Sequence, residues 1–192
     1  MGRHLFASNG LNNLFLIDLL NERFVKEYAS SNHPQARVTS LLAIDRNTIL
    51  NFVHNPNQIV AMHLSDHPKI SLKALKGMES SGKCLSSKRL GDSMFVAAFD
   101  DKALRIFHNE GIEFENEIRM ENSVQSLTLM DDNNLLAGGG SDTVWMVDRR
   151  EQGVMGKFSM GATCYQLQKI YPNSFLANLG NCLKIYDCRM HK

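Results

Sequence analysis

The sequence has few aromatic residues, few prolines and no long apolar run. Aromatic residues make up 8% of its 192 residues, and proline occurs four times. The strongest apolar cluster, residues 14–17, is followed at once by Asp18, so no segment approaches the roughly 18 apolar residues of a membrane helix. Neither sign of charge dominates, because 21 Lys+Arg balance 20 Asp+Glu. A near-neutral chain lacks the overall attraction expected of a dedicated nucleic-acid binder, so neither a nucleic-acid partner nor a membrane span is expected.

Cysteine is scarce as well. The four cysteines are not spaced as C-x-x-C, and no histidine pair lies at zinc-finger distance from them. The N-terminal residues lack the uninterrupted apolar core of a secretory signal. A chain of this length can build a core without disulfides. We therefore expect reduced thiols and a cytoplasmic or nuclear location, with a secreted disulfide framework as the alternative.

What the sequence does contain is an internal repeat. Five short β-prone runs end in an acidic residue or a histidine, at Asp18, His63, His108, Asp148 and Asp187. These closing residues are 45, 45, 40 and 39 positions apart. A near-constant spacing in this range is typical of a propeller blade with four strands.

The residues around each run repeat too. A turn-forming residue lies six positions before the closing residue at Asn12, Asn57, Asp142 and Asn181, and Lys102 has this place in the third repeat. Another short β-prone segment precedes each turn, a further one lies upstream in four repeats, and a more polar one follows in four. Short strands joined by Asn, Asp and Gly turns predict antiparallel hairpins.

Residues 123–148 resemble a repeat of the WD-repeat β-propeller family. They contain a β-prone segment, a turn, a Leu-Leu-Ala-Gly strand, a turn with Asp142 and a last strand that ends at Asp148. His33 resembles the histidine of the family's loop into an inner strand. The Trp-Asp and Gly-His pairs of the family are absent. The repeats are therefore degenerate, and another propeller family is the alternative.

The resemblance implies an all-β fold, a partial β-propeller of about five blades. We predict one domain over 1–192, with three complete four-stranded blades flanked by two incomplete ones. The blades are expected at about 3–30, 37–75, 82–120, 123–161 and 162–189. Because a seven-bladed ring needs roughly 300 residues, the chain is expected to represent the C-terminal part of a larger propeller or to be completed by another chain.

Several motifs that suggest chemistry have a structural interpretation that we favour. The glycine run at 138–140 lacks the G-x-G-x-x-G and Walker patterns, so it predicts a tight turn. His63 and His67 beside Asp66 would share a helix face and bind zinc, but a strand running into a turn does not bring them together reliably. We therefore predict no metal, no cofactor and no catalytic residue.

Two charge patterns are interpreted in the same way. The acidic pairs 100–101 and 131–132 precede turn-like sequences, where aspartate bonds its own backbone. Residues 69–89 carry six basic side chains against one acidic one. This stretch could attract an acidic peptide, a phosphate or an anionic surface, but a solvated surface is the interpretation we favour.

The resemblance implies a non-catalytic scaffold or adaptor that binds other proteins or peptides through the loops of a propeller face, since function in such folds is carried by loops. Arg37, Lys83 and Lys102 lie at these loops and turns and are the predicted contacts for an acidic partner. One alternative is an enzyme or small-ligand-binding propeller with a site in its central channel. Another is a scaffold piece inside a large assembly, with its open blades covered by neighbours.

Overall fold

In the part of the chain that the structure describes, the protein is built from β-strands, with one short 3₁₀ turn at Cys188–Met190. The computed structural model describes residues 4–9, 11, 13–29, 35–45, 47–55, 57–63, 69–73, 82–110 and 112–190. Within them the chain divides into two compact units, Met1–Cys84 and Leu85–Lys192. Asn12 and His33, which the sequence analysis singled out, lie outside the described residues.

The first unit contains two antiparallel sheets. Sheet 1 has the order β1-β2-β3, with β1 at His4–Ser8, β2 at Asn13–Asp18 and β3 at Arg23–Ala29. Sheet 2 has the order β4-β5-β6-β7, with β4 at Arg37–Ala43, β5 at Thr48–His54, β6 at Gln58–His63 and β7 at Lys69–Lys73.

The second unit contains three antiparallel sheets. Sheet 3 has the order β11-β10-β9-β8, with β8 at Cys84–Leu90, β9 at Met94–Phe99, β10 at Ala103–His108 and β11 at Glu113–Arg119. Sheet 4 has the order β12-β13-β14-β15, with strands at Ser126–Leu129, Asn134–Gly138, Thr143–Asp148 and Gly153–Ser159. Sheet 5 has the order β16-β17-β18, with strands at Gln166–Tyr171, Ser174–Asn178 and Leu183–Asp187.

Burial follows the position of a strand in its sheet. In sheet 3 the central strand β9 is apolar on both faces, and all five residues of 95–99 are buried. The outer strand β11 exposes Glu113, Phe114 and Glu115 in a row. A central strand is covered on both sides, whereas an outer strand has a wet face and tolerates alternating charge.

The acidic residues that close three of the repeats cap the turns that follow them. The Asp18 carboxylate accepts the backbone N–H of Leu20 at 3.0 Å, and that of Asp148 accepts the N–H of Arg150 at 2.7 Å. Asp187 accepts the N–H of the residue two positions later at 2.9 Å. Aspartate forms such turns because its short side chain reaches the backbone two residues on. The recurrent closing residue is therefore a turn-forming element.

Every sheet has two faces, which we name from sheet 4 and extend to equivalent register positions in the other sheets. Face A carries Leu135, Ala137, Trp145 and Val147, and face B carries Leu136, Val144 and Met146. In the second unit, face B of sheet 3 packs on face A of sheet 4 in one apolar cluster. Face B of sheet 4 packs on face A of sheet 5 in another. In the first unit, Leu14 on face B of sheet 1 packs with Met62 on face A of sheet 2.

The glycine run shapes the turn between β13 and β14. Gly139 and Gly140 have positive φ values of 123° and 69°, which L-residues rarely adopt. A Cβ on Gly139 would lie 2.5 Å from the backbone N of Gln125, and one on Gly140 would lie 2.8 Å from the carbonyl O of Ser123. Close approach of two backbone segments therefore accounts for these glycines.

These elements confirm the all-β prediction, with three four-stranded and two three-stranded sheets in the described part of the chain. Within the same residues, no helix has the length and apolar character needed to cross a membrane. The prediction of one domain over 1–192 stays a prediction.

Candidate functional site

A polar groove runs along the first strands of the three sheets in the second unit. Its volume is about 340 Å³, within the range of small-ligand and peptide sites. It is lined by residues of β8, β12 and β16 and of the segments next to them, namely Ser86, Lys88, Gln125, Ser126, Leu127, Tyr165, Gln166, Leu167, Gln168 and Asn178.

Hydroxyl groups join these first strands at a constant interval. The backbone N–H of Leu127 donates to Ser86 Oγ at 3.2 Å, and that of Leu167 donates to Ser126 Oγ at 2.9 Å. The Lys169 N–H donates to a third hydroxyl, Thr128 Oγ1, at 3.2 Å. Each of the three bonds spans 41 residues. The repeat thus places equivalent residues of successive first strands side by side and fixes the floor of the groove.

The walls of the groove carry groups that form hydrogen bonds. Gln125, Gln166 and Gln168 are exposed, and Tyr165 exposes 53% of its surface. Lys88 contributes an ammonium group from β8. Amide, phenol and ammonium groups at one surface can hold the backbone and carboxylates of a peptide.

One end of the groove opens at a group of loops, which we call the loop face and define as residues 101–102, 121–125, 139–142 and 161–165. Backbone bonds hold these segments together. Met120 N–H donates to the Lys102 carbonyl at 2.8 Å. Cys164 N–H donates to the Ser141 carbonyl at 3.1 Å. The turns after the second strands therefore lie beside the segments that enter the next first strands.

All three predicted contact residues are exposed. Lys102 lies on the loop face, in the turn between β9 and β10, with a φ of 66°. Lys83 directly precedes β8, and Arg37 begins β4, where it pairs in register with His54. Arg37 and Lys83 belong to the first unit and Lys102 to the second, so the three do not form one cluster within either unit.

An ion-pair network lies beside Lys102. Arg105 is 8% exposed and binds Asp101 at 2.6 Å and Glu117 at 2.9 Å. Its guanidinium carbon lies 4.7 Å from the centre of the Phe99 ring, close enough for a cation–π interaction. A buried guanidinium needs such partners. The network links the turn between β9 and β10 to β10 and to the neighbouring strand β11, and so fixes the turn that presents Lys102.

Neighbouring arginines keep the carboxylates of two closing residues, Asp148 and Asp187, charged. The hydrogen bond from the Arg150 side chain lowers the pKa of Asp148. The Arg189 side chain lowers the pKa of Asp187 to about 2. Burial raises the pKa of the Cys164 thiol, so this thiol is protonated at neutral pH. All four cysteines lie in the described residues, and none of them forms a disulfide.

The other sequence-singled residues occupy separate places. His63 is exposed, and its Nδ1 lies 3.1 Å from Thr48 Oγ1, whereas Asp66 and His67 lie outside the described residues. Among the residues that are described, no three His, Cys, Asp or Glu side chains are grouped as a metal site. Asp131 accepts the N–H groups of two following asparagines, as in a turn. Of the basic stretch 69–89, Lys88 faces the groove.

A second cavity, of about 640 Å³, lies on sheet 3. It is lined by Asp92, Ser93, His108, Asn109, Glu110 and Glu113. Asp92 already pairs with Arg89 at 2.5 Å, and the Asn109 amide donates to the Asp92 carbonyl at 2.8 Å. This cavity is an acidic recess between two turns.

Sequence reasoning missed the groove residues, although a signal for them exists. Gln125 and Gln166 are separated by the same 41 residues as the hydroxyl-linked positions. Gln125 directly precedes β12 and Gln166 is the first residue of β16, so polar residues at the start of successive first strands mark a polar surface that recurs between sheets. Tyr165 follows Cys164 without any such pattern, and only the fold brings it to the groove.

No family model and no curated protein matches this chain. Among solved structures, it is similar to a WD40 propeller chain in the crystal structure of a mitotic checkpoint complex, with a TM-score of 0.76 and 16% sequence identity. The match covers 97% of this chain and 59% of that chain, so this chain spans about three fifths of the matched chain's length. The likeness shows the fold, and the predicted fold class, a partial β-propeller, is confirmed.

Proposed function

We propose that this protein is a non-catalytic interaction scaffold or adaptor that binds a peptide segment of a protein partner at the loop face and the adjoining groove. The observation that carries the proposal is the groove itself, about 340 Å³ in volume and lined by amides, hydroxyls, a phenol and an ammonium. These groups hold a polar peptide without reacting with it. A protein complex is also the setting of the similar WD40 propeller chain.

The arrangement favours a partner with acidic side chains. Lys88 lies in the groove, and Lys102 is exposed on the loop face. A carboxylate bound to either lysine would form charge-assisted hydrogen bonds, which are stronger than neutral ones. Arg37 and Lys83 lie at loops of the first unit and are proposed as that unit's own contacts for an acidic partner.

A small polar ligand in the groove is the second candidate function. The groove's volume lies at the lower end of the range for small-ligand sites, and polar groups line most of it. The peptide is preferred because the groove opens onto loops, where protein partners are usually bound.

Peptide selection tests the proposal. A displayed library of short random peptides is panned against the full chain, and the dissociation constants of enriched peptides are measured by fluorescence anisotropy. We expect acidic peptides to be enriched, and Lys88→Glu and Lys102→Glu each to raise the dissociation constant by about tenfold or more.

Lys184→Glu, an exposed change on β18 outside the groove and the loop face, serves as the matched control and is expected to leave peptide binding unchanged. If no peptide is enriched, or if Lys88→Glu and Lys102→Glu bind the enriched peptides as the wild type does, the proposal is wrong. The second candidate would be favoured by a polar metabolite that binds the wild type but not Lys88→Glu, and that does not displace any peptide.

A further inference from the structure

Sheet 5 presents an apolar face that is covered in the preceding sheets. The pairs Leu176–Ile185 and Asn178–Leu183 in sheet 5 correspond to Leu136–Met146 and Gly138–Val144 in sheet 4. Face B of sheet 5 therefore carries the apolar Leu176, Leu183 and Ile185, with the polar Asn178, Gln166 and Gln168 beside them.

The exposure of these positions differs sharply from that of their equivalents. Leu183 is 64% exposed and Ile185 is 68% exposed. The equivalent of Leu183 in sheet 4, Val144, is fully buried, and Ile106, the equivalent of Ile185 in sheet 3, is 2% exposed. The second and third strands of sheet 5 thus have apolar residues on face B, as in the packed sheets, but Leu183 and Ile185 are exposed.

Sheet 1 presents the complementary face. Its pairs Leu5–Ile17 and Ala7–Phe15 correspond to Leu135–Val147 and Ala137–Trp145 of sheet 4, and they define face A of sheet 1. Leu5 is 47% exposed, whereas its equivalent Leu135 is 1% exposed. Phe15 is also partly exposed, although the equivalent Trp145 is fully buried.

The contacts between neighbouring sheets inside each unit show what kind of surface covers each face. The three core clusters that join neighbouring sheets inside the two units all place face B of one sheet on face A of the next. Apolar residues at equivalent register positions give these contacts their shape. A sheet with an open face A therefore fits a sheet with an open face B.

We infer that this chain self-associates head to tail, with face B of sheet 5 in one copy packed on face A of sheet 1 in a second copy. The occupant is a second copy because one chain carries both halves of the contact, each with exposed apolar side chains at the register positions that pack inside the units. Such a contact is heterologous, so it propagates into a filament or closes into a ring. Face B of sheet 5 also carries Gln166, Gln168 and Asn178, which line the groove, so self-association would cover one side of the groove. Peptide binding is therefore measured below the concentration of self-association.

Sedimentation velocity of the full 192-residue chain tests the inference. We expect mass to grow from the monomer value of 21.6 kDa as concentration rises. Ile185→Lys on face B and Leu5→Glu on face A should each raise the dissociation constant for self-association by about tenfold or more, because an unpaired charge is disfavoured in an apolar contact. Both residues are exposed, so circular dichroism should show an unchanged fold.

A mixture of the two variants identifies the geometry. Ile185→Lys keeps an intact face A, and Leu5→Glu keeps an intact face B. An equimolar mixture therefore has one wild-type interface available and should form dimers that grow no further. Met155→Lys, which replaces an apolar residue of 58% exposure on the outer strand β15, is the matched control and should assemble as the wild type does.

Three outcomes overturn the inference. The wild-type chain stays monomeric over the whole concentration range, or Met155→Lys disrupts assembly as much as Ile185→Lys, or the variant mixture fails to form dimers. A wild-type chain that stays monomeric would mean that further sheets or another protein cover these faces. Peptide binding at the groove is measured separately, so its failure is distinguishable from failure of self-association.

Discussion

Gly139 shows how a single residue is fixed by its surroundings in this protein. Its φ of 123° and the short distance from an added Cβ to Gln125 leave room for glycine alone. The contact joins the turn after β13 to the segment that enters β12, and both belong to the loop face. Gly91 offers a natural comparison, because its φ is 66° but an added Cβ would meet nothing within 4 Å.

Replacing Gly139 or Gly91 by alanine is therefore expected to lower the stability by different amounts. Gly139→Ala should lower the free energy of unfolding by about 2–4 kcal/mol, because backbone strain and a steric clash act together. Gly91→Ala should lower it by about 1 kcal/mol through strain alone. Urea denaturation of both variants measures the difference, and equal losses would contradict a clash at Gly139.

At the scale of the strands, the hydroxyl-linked first strands hold neighbouring sheets of the second unit in place. Ser126 and Leu167 are both buried, and their bond at 2.9 Å satisfies a backbone N–H that faces the adjacent sheet. Such a bond fixes register between sheets as well as separation, because it forms at one pair of positions. The apolar clusters beside it supply most of the stabilisation.

Ser126→Ala tests this link. The change leaves the buried N–H of Leu167 without its acceptor and should lower the free energy of unfolding by about 1–3 kcal/mol. Ser159→Ala, at an exposed position of β15, should change it by less than about 0.5 kcal/mol. Chemical denaturation followed by tryptophan fluorescence gives both values. If Ser126→Ala lowers the free energy of unfolding no more than the control does, the hydrogen bond between Ser126 and Leu167 does not stabilise the fold.

For the molecule as a whole, the sheets differ in how completely they are covered. Sheet 4 has both faces packed within the second unit, whereas sheet 5 has face A packed and Leu183 and Ile185 on face B exposed. In repeat proteins each unit is stabilised mainly by its neighbours. A sheet with one covered face therefore opens more readily than one with two.

Hydrogen–deuterium exchange should show this gradient. Below the concentration of self-association, the amides of β18 that pair with β17 should exchange at least about tenfold faster than the paired amides of β14. Protection of β18 should rise as the chain assembles, since face B of sheet 5 becomes covered. Equal protection of β14 and β18 at low concentration would show that the second unit opens as one body.

The sequence by itself predicted the local elements well, since they depend on short-range chemistry. The interval between Asp148 and Asp187, together with turn formers such as Asp142, was enough to indicate hairpins and the all-β fold. Strand alternation and turn residues act over a few positions, so a degenerate repeat still shows them. The same reasoning interpreted the glycine run at 138–140 as a turn, where the structure places one.

Tertiary structure alone decided which surfaces face one another. The groove combines Lys88, from the basic stretch 69–89, with Tyr165 from a sheet two repeats later, and no sequence pattern links the two residues. The exposure of Ile185, in a position whose equivalent Ile106 is buried, likewise depends on whether another sheet covers it. The composition of a strand specifies that it has an apolar face, but only packing decides whether that face is covered, because burial is a property of neighbours distant in sequence.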